Sequence, residues 1–284
     1  MKLIICRDMG SASVISENEN NKNCLYFLKN PAKNFFKKKG IVSQNLRSLE
    51  KNIESCDYII TGTSWPLDIE FWAIKLAKKY NKKIITYLDH WVNYEERFNK
   101  KKEMFPDIII TTDSFAFKLA KKKFPFLKII LKKNLYLEKL KKKYKTIKKE
   151  KKYILYVDNH LVDINKNIVN KKRYFNHNEK SIFENFVTKI QSHNIKSKKI
   201  LFRTHPKKNI KNSLNIIKKY KLICSISKNE DLIKDIAKSE IVVGWNSMAM
   251  YIAHKLGKKV MHILPKGFKD NNLPIKDIKY LEKK

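Results

Sequence analysis

The stretch Ile241-Val242-Val243-Gly244-Trp245-Asn246-Ser247-Met248-Ala249-Met250-Tyr251-Ile252-Ala253-His254-Lys255-Leu256-Gly257-Lys258-Lys259-Val260 reads as strand, turn, helix and strand in immediate succession. Ile241 to Val243 is a short β-branched run, Ser247 to Leu256 has helical spacing, Gly257 is a helix stop, and Lys259 to Ile263 turns apolar again. This succession is the unit from which parallel sheets covered by helices are built. Its turn, Val243 to Ser247, lies where a strand ends, the place where open α/β sheets keep their ligand-binding loops. Gly244 lets the backbone come close to a ligand, Asn246 or Ser247 can cap the helix, and the first helical N–H groups point at whatever lies in front of them. The same spacing also describes a plain helix entry with a serine cap, and Trp245 is either a stacking face or packing.

A second loop of this kind lies upstream, at Phe202-Arg203-Thr204-His205-Pro206. Pro206 makes a rigid turn just past a strand end, and Arg203, two residues before His205, falls on the same side of an extended backbone. An imidazolium there can neutralise a leaving phosphate or donate a proton to it; a histidine that caps the next helix is the alternative. The two loops are expected on adjacent strand ends of one sheet, converging on a phosphate.

Outward from these loops the alternation continues. In the second half, strands are expected at Tyr153 to Val157, Lys199 to Phe202 and Leu222 to Ser225, with helices at Lys180 to Ser192, Ile210 to Tyr220 and Glu230 to Ala237. In the first half, strands are expected at Leu3 to Cys6, Tyr58 to Thr61, Lys83 to Leu88, Ile108 to Thr111 and Lys128 to Leu131. The clearest helix there is Leu67 to Tyr80, with Ile69, Trp72, Ala73, Leu76 and Ala77 at helical spacing. Asp113 is the expected N-cap of a helix reaching Lys123. The overwhelmingly lysine-rich stretch 141–152 separates a first domain, 1–140, from a second, 153–284. The fold class is α/β, with two Rossmann-like domains facing each other across a cleft, the default place for an active site.

Composition narrows the function classes. The formal charge of the 284-residue chain is +36, from 63 Lys and Arg against 27 Asp and Glu. Arginine occurs only at positions 7, 47, 97, 173 and 203. Specific nucleic-acid readers rely on arginine forks, so this lysine-dominated balance describes a solvated surface and no specific nucleic-acid partner. So positive a surface draws nucleotides, acidic glycans and anionic headgroups, which makes peripheral contact with an anionic membrane an expectation. Cys6, Cys24, Cys56 and Cys224 show no C-x-x-C spacing, which points to a reduced, cytoplasmic setting. The opening apolar run is too short for a signal peptide, and no stretch approaches the ~20 apolar residues of a membrane span.

The first half offers two carboxylates as a general base. Asp8 lies in Arg7-Asp8-Met9-Gly10-Ser11, directly after the first strand. Asp89 follows the third, beside His90, Trp91, Asn93, Tyr94, Glu95, Glu96 and Arg97, a setting in which aromatic faces stack on sugars and polar groups bond hydroxyls. Asp8 is otherwise a cap, and Asp89 otherwise a partner of His90 or Arg97. The loop Thr61-Gly62-Thr63-Ser64-Trp65-Pro66 brings three hydroxyls to the start of the Leu67 helix, either to bind an acceptor's carboxylate or phosphate or as a plain helix entry with Ser64 as cap. The acceptor-side set is therefore Gly10, Thr61, Gly62, Thr63, Ser64, His90 and Trp91.

With His205-Pro206, the downstream Ser247 and the stretch 241–260, the chain resembles GT-B glycosyltransferases, above all bacterial sialyltransferase-like, polysialyltransferase-like and capsule-type enzymes. The resemblance covers the second half well and the first half in outline. It implies that His205 and Ser247, with Arg203, Pro206, Gly244 and Asn246 around them, hold the phosphate of a nucleotide-sugar donor. It also implies that no metal or other cofactor is needed, in keeping with the absence of an Asp-x-Asp motif, so that His205, helix N–H groups, Arg203 or Lys207 carry the leaving charge. The family's acidic motif ending in glycine is missing, which leaves the base open between Asp89 and Asp8. The implied activity moves a sugar, with a CMP-linked acidic sugar as the best single donor, onto a glycan or lipid-linked acceptor in surface polysaccharide assembly. An epimerase or hydrolase on the same fold, or a non-catalytic anion-binding protein, remains the alternative.

Overall fold

Leu3 and Ile5 of the first apolar run face one side of a sheet, and Ile4 and Cys6 face the other. Alternate side chains leave opposite faces of a strand, so a run that is apolar throughout must be covered twice. The computed structural model describes residues 1–159, 179–191, 199–206, 208–263, 273–275 and 278–281. The chain divides into two units, Met1–Glu138 and Lys139–Lys284.

The first unit runs β1 (Lys2–Cys6), α1 (Met9–Asn18), β2 (Cys24–Leu28), α2 (Ala32–Lys37), α3 (Leu49–Ser55), β3 (Tyr58–Thr61), α4 (Ile69–Lys79), β4 (Lys83–Tyr87), β5 (Ile108–Thr111), α5 (Ser114–Lys123) and β6 (Lys128–Leu131). All its strand pairings are parallel, in the order β2-β1-β3-β4-β5-β6. One face packs Leu3, Ile5, Ile59, Ile84 and Ile109 against Ile53 of α3, Ala73 of α4 and Ala120 of α5; the other packs Ile4, Cys6 and Ile60 against Ile15 of α1 and Phe36 of α2. Asp113 caps α5 as expected, its Oδ1 accepting from Ala116 N–H at 2.7 Å. The cap of α4 is Asp68 rather than Ser64. Trp72, expected on the buried face of α4, is 56% exposed, and Ile74 is buried instead.

Helix α6 (Leu135–Thr146) spans the division between the units, so the lysine-rich stretch 141–152 is helical as far as Thr146. The second unit continues with β7 (Tyr153–Val157), α7 (Glu179–Gln191), β8 (Lys199–Arg203), α8 (Ile210–Ile217), β9 (Cys224–Ile226), α9 (Leu232–Lys238), β10 (Ser239–Gly244), α10 (Met248–Lys255), β11 (Lys259–His262) and β12 (Lys279–Tyr280). Its sheet is also parallel, in the order β12-β11-β10-β7-β8-β9. Leu222, expected to open a strand, is 94% exposed, and that strand starts at Cys224. Tyr156, Phe183, Phe186 and Phe202 make an aromatic core under one face.

Each sheet reverses direction once, between β1 and β3 in the first unit and between β7 and β10 in the second. Such reversals leave a crevice at the carboxyl ends of the strands. Among the described residues, no helix is long and apolar enough to cross a membrane.

Candidate functional site

In the first unit the ends of β1, β3 and β4 lie side by side, with Ile5 level with Thr61 and Thr61 level with Thr86. Three carboxylates gather there. Asp8 follows β1 at the N-cap position of α1, with its Oδ1 3.5 Å from Arg7 Nε. Glu70 comes from the first turn of α4 and is buried; its Oε1 accepts from Arg7 N–H at 2.7 Å and its Oε2 from the Ser64 hydroxyl at 2.9 Å. Glu70 thus bridges the two strands at the reversal. Asp89 follows β4, and its Oδ1 accepts from the Thr63 hydroxyl at 3.4 Å.

These surroundings decide the charges. Burial pushes Glu70 up to about 7, reinforced by the negative charge of Asp8 and opposed by the Arg7 and Ser64 hydrogen bonds. Burial likewise lifts Asp89 to about 6; the Arg97 cation opposes it and Asp8 adds to it. Asp68 goes the other way: burial is outweighed by Lys29 at 2.6 Å and Arg7 at 2.7 Å, which hold its carboxyl below the usual range. Two glycines let this web close. A Cβ on Gly10 would collide with Asp89 Oδ2, and one on Gly62 would collide with Ser11 Oγ and stand 2.6 Å from Ser11 Cβ.

The hydroxyls of the 61–64 loop, expected to meet an acceptor, each hold a partner inside the first unit. Thr61 pairs with Thr86 at 2.7 Å, Thr63 serves Asp89 and Ser64 serves Glu70. Trp91, expected as a sugar-stacking face, is only 5% exposed, and its Nε1 donates to Asp113 Oδ2 at 3.0 Å. His90 stands beside it, half-buried, with Nδ1 accepting from Trp91 N–H at 3.0 Å.

In the second unit the two loops are not on adjacent strands. β7 runs between β8, which leads to His205, and β10, which leads to Gly244. The sheet reversal therefore falls between Gly244 and the end of β7, where Asp158 and Asn159 stand. Asn159 Nδ2 donates to Trp245 O at 2.9 Å and ties the two strand ends together. Gly244 is needed at this contact, since a Cβ would stand 2.6 Å from Val157 Cγ2 and 2.8 Å from Val157 O. Asn246 takes a left-handed conformation (φ +44°), and Ser247 caps α10, its Oγ accepting from Ala249 N–H at 3.3 Å. Trp245 is packing, part of the core beneath the sheet.

His205 is half-buried and Pro206 exposed; a turn from Lys208 N–H to His205 O, 2.9 Å, closes their loop. Lys208 Nζ lies 2.7 Å from Asp158 Oδ2, so an ion pair pins the loop to the end of β7. Arg203 is drawn elsewhere: its guanidinium reaches Asp235 at 2.5 Å and the carbonyls of Asn229 and Glu230 at 3.0 and 2.9 Å. Lys207 lies outside the described residues.

Glu70, Arg97, Asp158, Asn159 and Lys208 were not singled out as site residues by sequence reasoning. Glu70 carried one signal, a carboxylate in the first turn of the clearest helix. Arg97 carried another, a rare arginine in a lysine-rich chain. Asp158 and Asn159 end a predicted strand, but nothing local to them marks that strand as the centre of the sheet.

No family model and no curated protein sequence matches the chain. Solved structures do resemble it. The UDP-GlcNAc 2-epimerase of Methanocaldococcus jannaschii aligns with a TM-score of 0.57 at 15% identity, over 92% of this chain and 83% of that one. The S. aureus MnaA–UDP co-structure aligns with a TM-score of 0.61 at 12% identity, over 92% and 78%. The wall teichoic acid polymerase TagF aligns with a TM-score of 0.51 at 16% identity, over 92% and 70%. At these identities the likeness is one of fold, and the chain has the two-domain α/β fold of the GT-B type.

Proposed function

We propose that this chain is a glycosyltransferase that moves a sugar from a nucleotide donor to a glycan or lipid-linked acceptor of the kind used in surface polysaccharide assembly. The observation that carries the reading is Asp89: a carboxylate at a strand end, lifted to about 6 and bonded on one oxygen by Thr63. A general base works best when its pKa lies near the working pH. Asp89 is assigned this role over Asp8, which pairs with Arg7 at the start of α1. The first unit takes the acceptor, and the second, 153–284, takes the nucleotide sugar. There the α10 N-terminus with Gly244, Asn246 and Ser247, and the imidazole of His205, hold the donor phosphate. The fold neighbours support a nucleotide-sugar partner, since the S. aureus structure contains UDP.

Epimerisation of a nucleotide sugar is the second reading. It is favoured by Glu70, lifted to about 7 in the same web as Asp89, which gives the unit two groups able to exchange protons near neutral pH. Fold neighbours named as UDP-GlcNAc 2-epimerases agree with it.

One experiment separates the readings: incubation with UDP-GlcNAc, other UDP-sugars and CMP-linked acidic sugars, with and without acceptor glycans. Nucleotide release that requires an acceptor supports transfer. A changed sugar without release supports epimerisation, and release without acceptor supports hydrolysis. If calorimetry detects no nucleotide binding and His205→Ala changes nothing, the enzyme reading is lost. Salt-sensitive binding to anionic polymers alone would then favour a binding protein.

A further inference from the structure

Arg97 is buried in the 3-10 turn Glu96–Phe98; its Nε donates to Val92 O at 3.1 Å and its Nη1 to Thr63 Oγ1 at 3.2 Å. A guanidinium has no acceptor atom, so the Thr63 oxygen must accept this bond. The single hydroxyl proton of Thr63 is then left for Asp89 Oδ1. The other carboxylate oxygen, Oδ2, lies against Gly10, where any Cβ would collide with it. We infer that Thr63 and Arg97 are positioning residues whose one-way relay, together with the bare Cα of Gly10, fixes the Asp89 carboxylate so that Oδ2 receives the substrate proton.

The inference rests on Asp89 being the base. In the step itself the acceptor hydroxyl gives its proton to Asp89 Oδ2, and its oxygen bonds to the anomeric carbon of the donor sugar. The bond from that carbon to the nucleotide phosphate breaks, with its electron pair leaving on the phosphate oxygen. The charged and titratable groups around Asp89 include Asp8 and Cys6 from the β1 end, Glu70 from α4, and His90, Tyr94 and Arg97 from the segment after β4. Of these, only Arg97 is a permanent cation; its charge acts on Asp89 directly, and its hydrogen bond acts through Thr63.

The test uses the full chain in two measurements: the pH profile of turnover with whichever nucleotide sugar is consumed, and an NMR titration of the Asp89 carboxyl, assigned with Asp89→Asn. Thr63→Val removes the relay proton while keeping the shape. It is expected to lower kcat roughly tenfold at unchanged KM, the scale of a hydrogen bond to a charged group. It also raises the Asp89 midpoint, and Thr63→Ser restores both. Arg97→Gln moves both readouts the same way, with circular dichroism confirming its fold. If Asp89→Asn abolishes turnover while Thr63→Val titrates and turns over like the parent, the relay is wrong and the base assignment stands. If Asp89→Asn keeps full turnover, the base assignment falls and the positioning role falls with it. The NMR midpoint decides the relay even where no nucleotide sugar is consumed.

Discussion

Asp158 and Lys208 face each other at 2.7 Å, with 2% and 3% of their side chains exposed, at the junction of the strand that centres the second sheet and the loop carrying His205. Breaking such a buried pair by removing one partner typically costs about 3–5 kcal/mol. Asp158→Asn is expected to lose that much in urea unfolding and to loosen the His205 loop. Asp158→Asn combined with Lys208→Met should recover most of the stability. A single-variant loss below about 1 kcal/mol would mean that the pair behaves as a surface salt bridge.

Gly244→Ala places a methyl group against Val157, whose carbonyl oxygen is backbone and cannot rotate away. Overpacking of this kind costs about 1–3 kcal/mol. The variant should melt earlier than its parent and bind nucleotide more weakly in calorimetry, because the displaced turn carries the cap of α10. Unchanged melting would show that the two strand ends separate freely.

His262 is fully buried at the end of β11, neither ring nitrogen has a hydrogen-bond partner among the described residues, and burial lowers its pKa from 6.5 to about 4. The unfolded chain takes up this proton first as the pH falls. Stability contributed by the neutral ring is therefore intact above pH 6.5 and lost between 6.5 and about 4, a loss of about 3 kcal/mol. His262→Phe should remove that dependence. Difference curves of stability against pH that stay flat through this window would rule it out.

Glu70 has the opposite sign. Its folded value of about 7 exceeds the ordinary 4.5, so its contribution is present below pH 4.5 and fades as the pH rises to about 7. Glu70→Gln keeps an acceptor for Arg7 N–H and offers its amide N–H to Ser64. Relative to the parent it should gain stability across that window, on the order of 3 kcal/mol at neutral pH. A gain that does not vary with pH would place the Glu70 carboxyl in solvent.

Tyr58–Thr61, Ile108–Thr111 and Tyr153–Val157 are legible in the sequence to the residue, because parallel strands covered on both faces read as unbroken apolar runs, and the edge strand Lys128–Leu131 is legible to the residue as well. Helix α1 is not, since it buries Ser11, Ala12 and Ser13 side by side and leaves no hydrophobic period to find. The strand order is not legible either. Nothing near His205 or Gly244 says that β7 passes between them, so Asn159 and the Asp158–Lys208 pair stay hidden until the sheet is assembled. The 61–64 hydroxyls and Asp89 were both visible in the sequence, and their bond to one another was not, because it joins residues brought level by strand register.

In the 61–64 loop, Thr61, Thr63 and Ser64 each hold a partner within the first unit. Variation along this loop would therefore surface as altered proton affinity or lost folding.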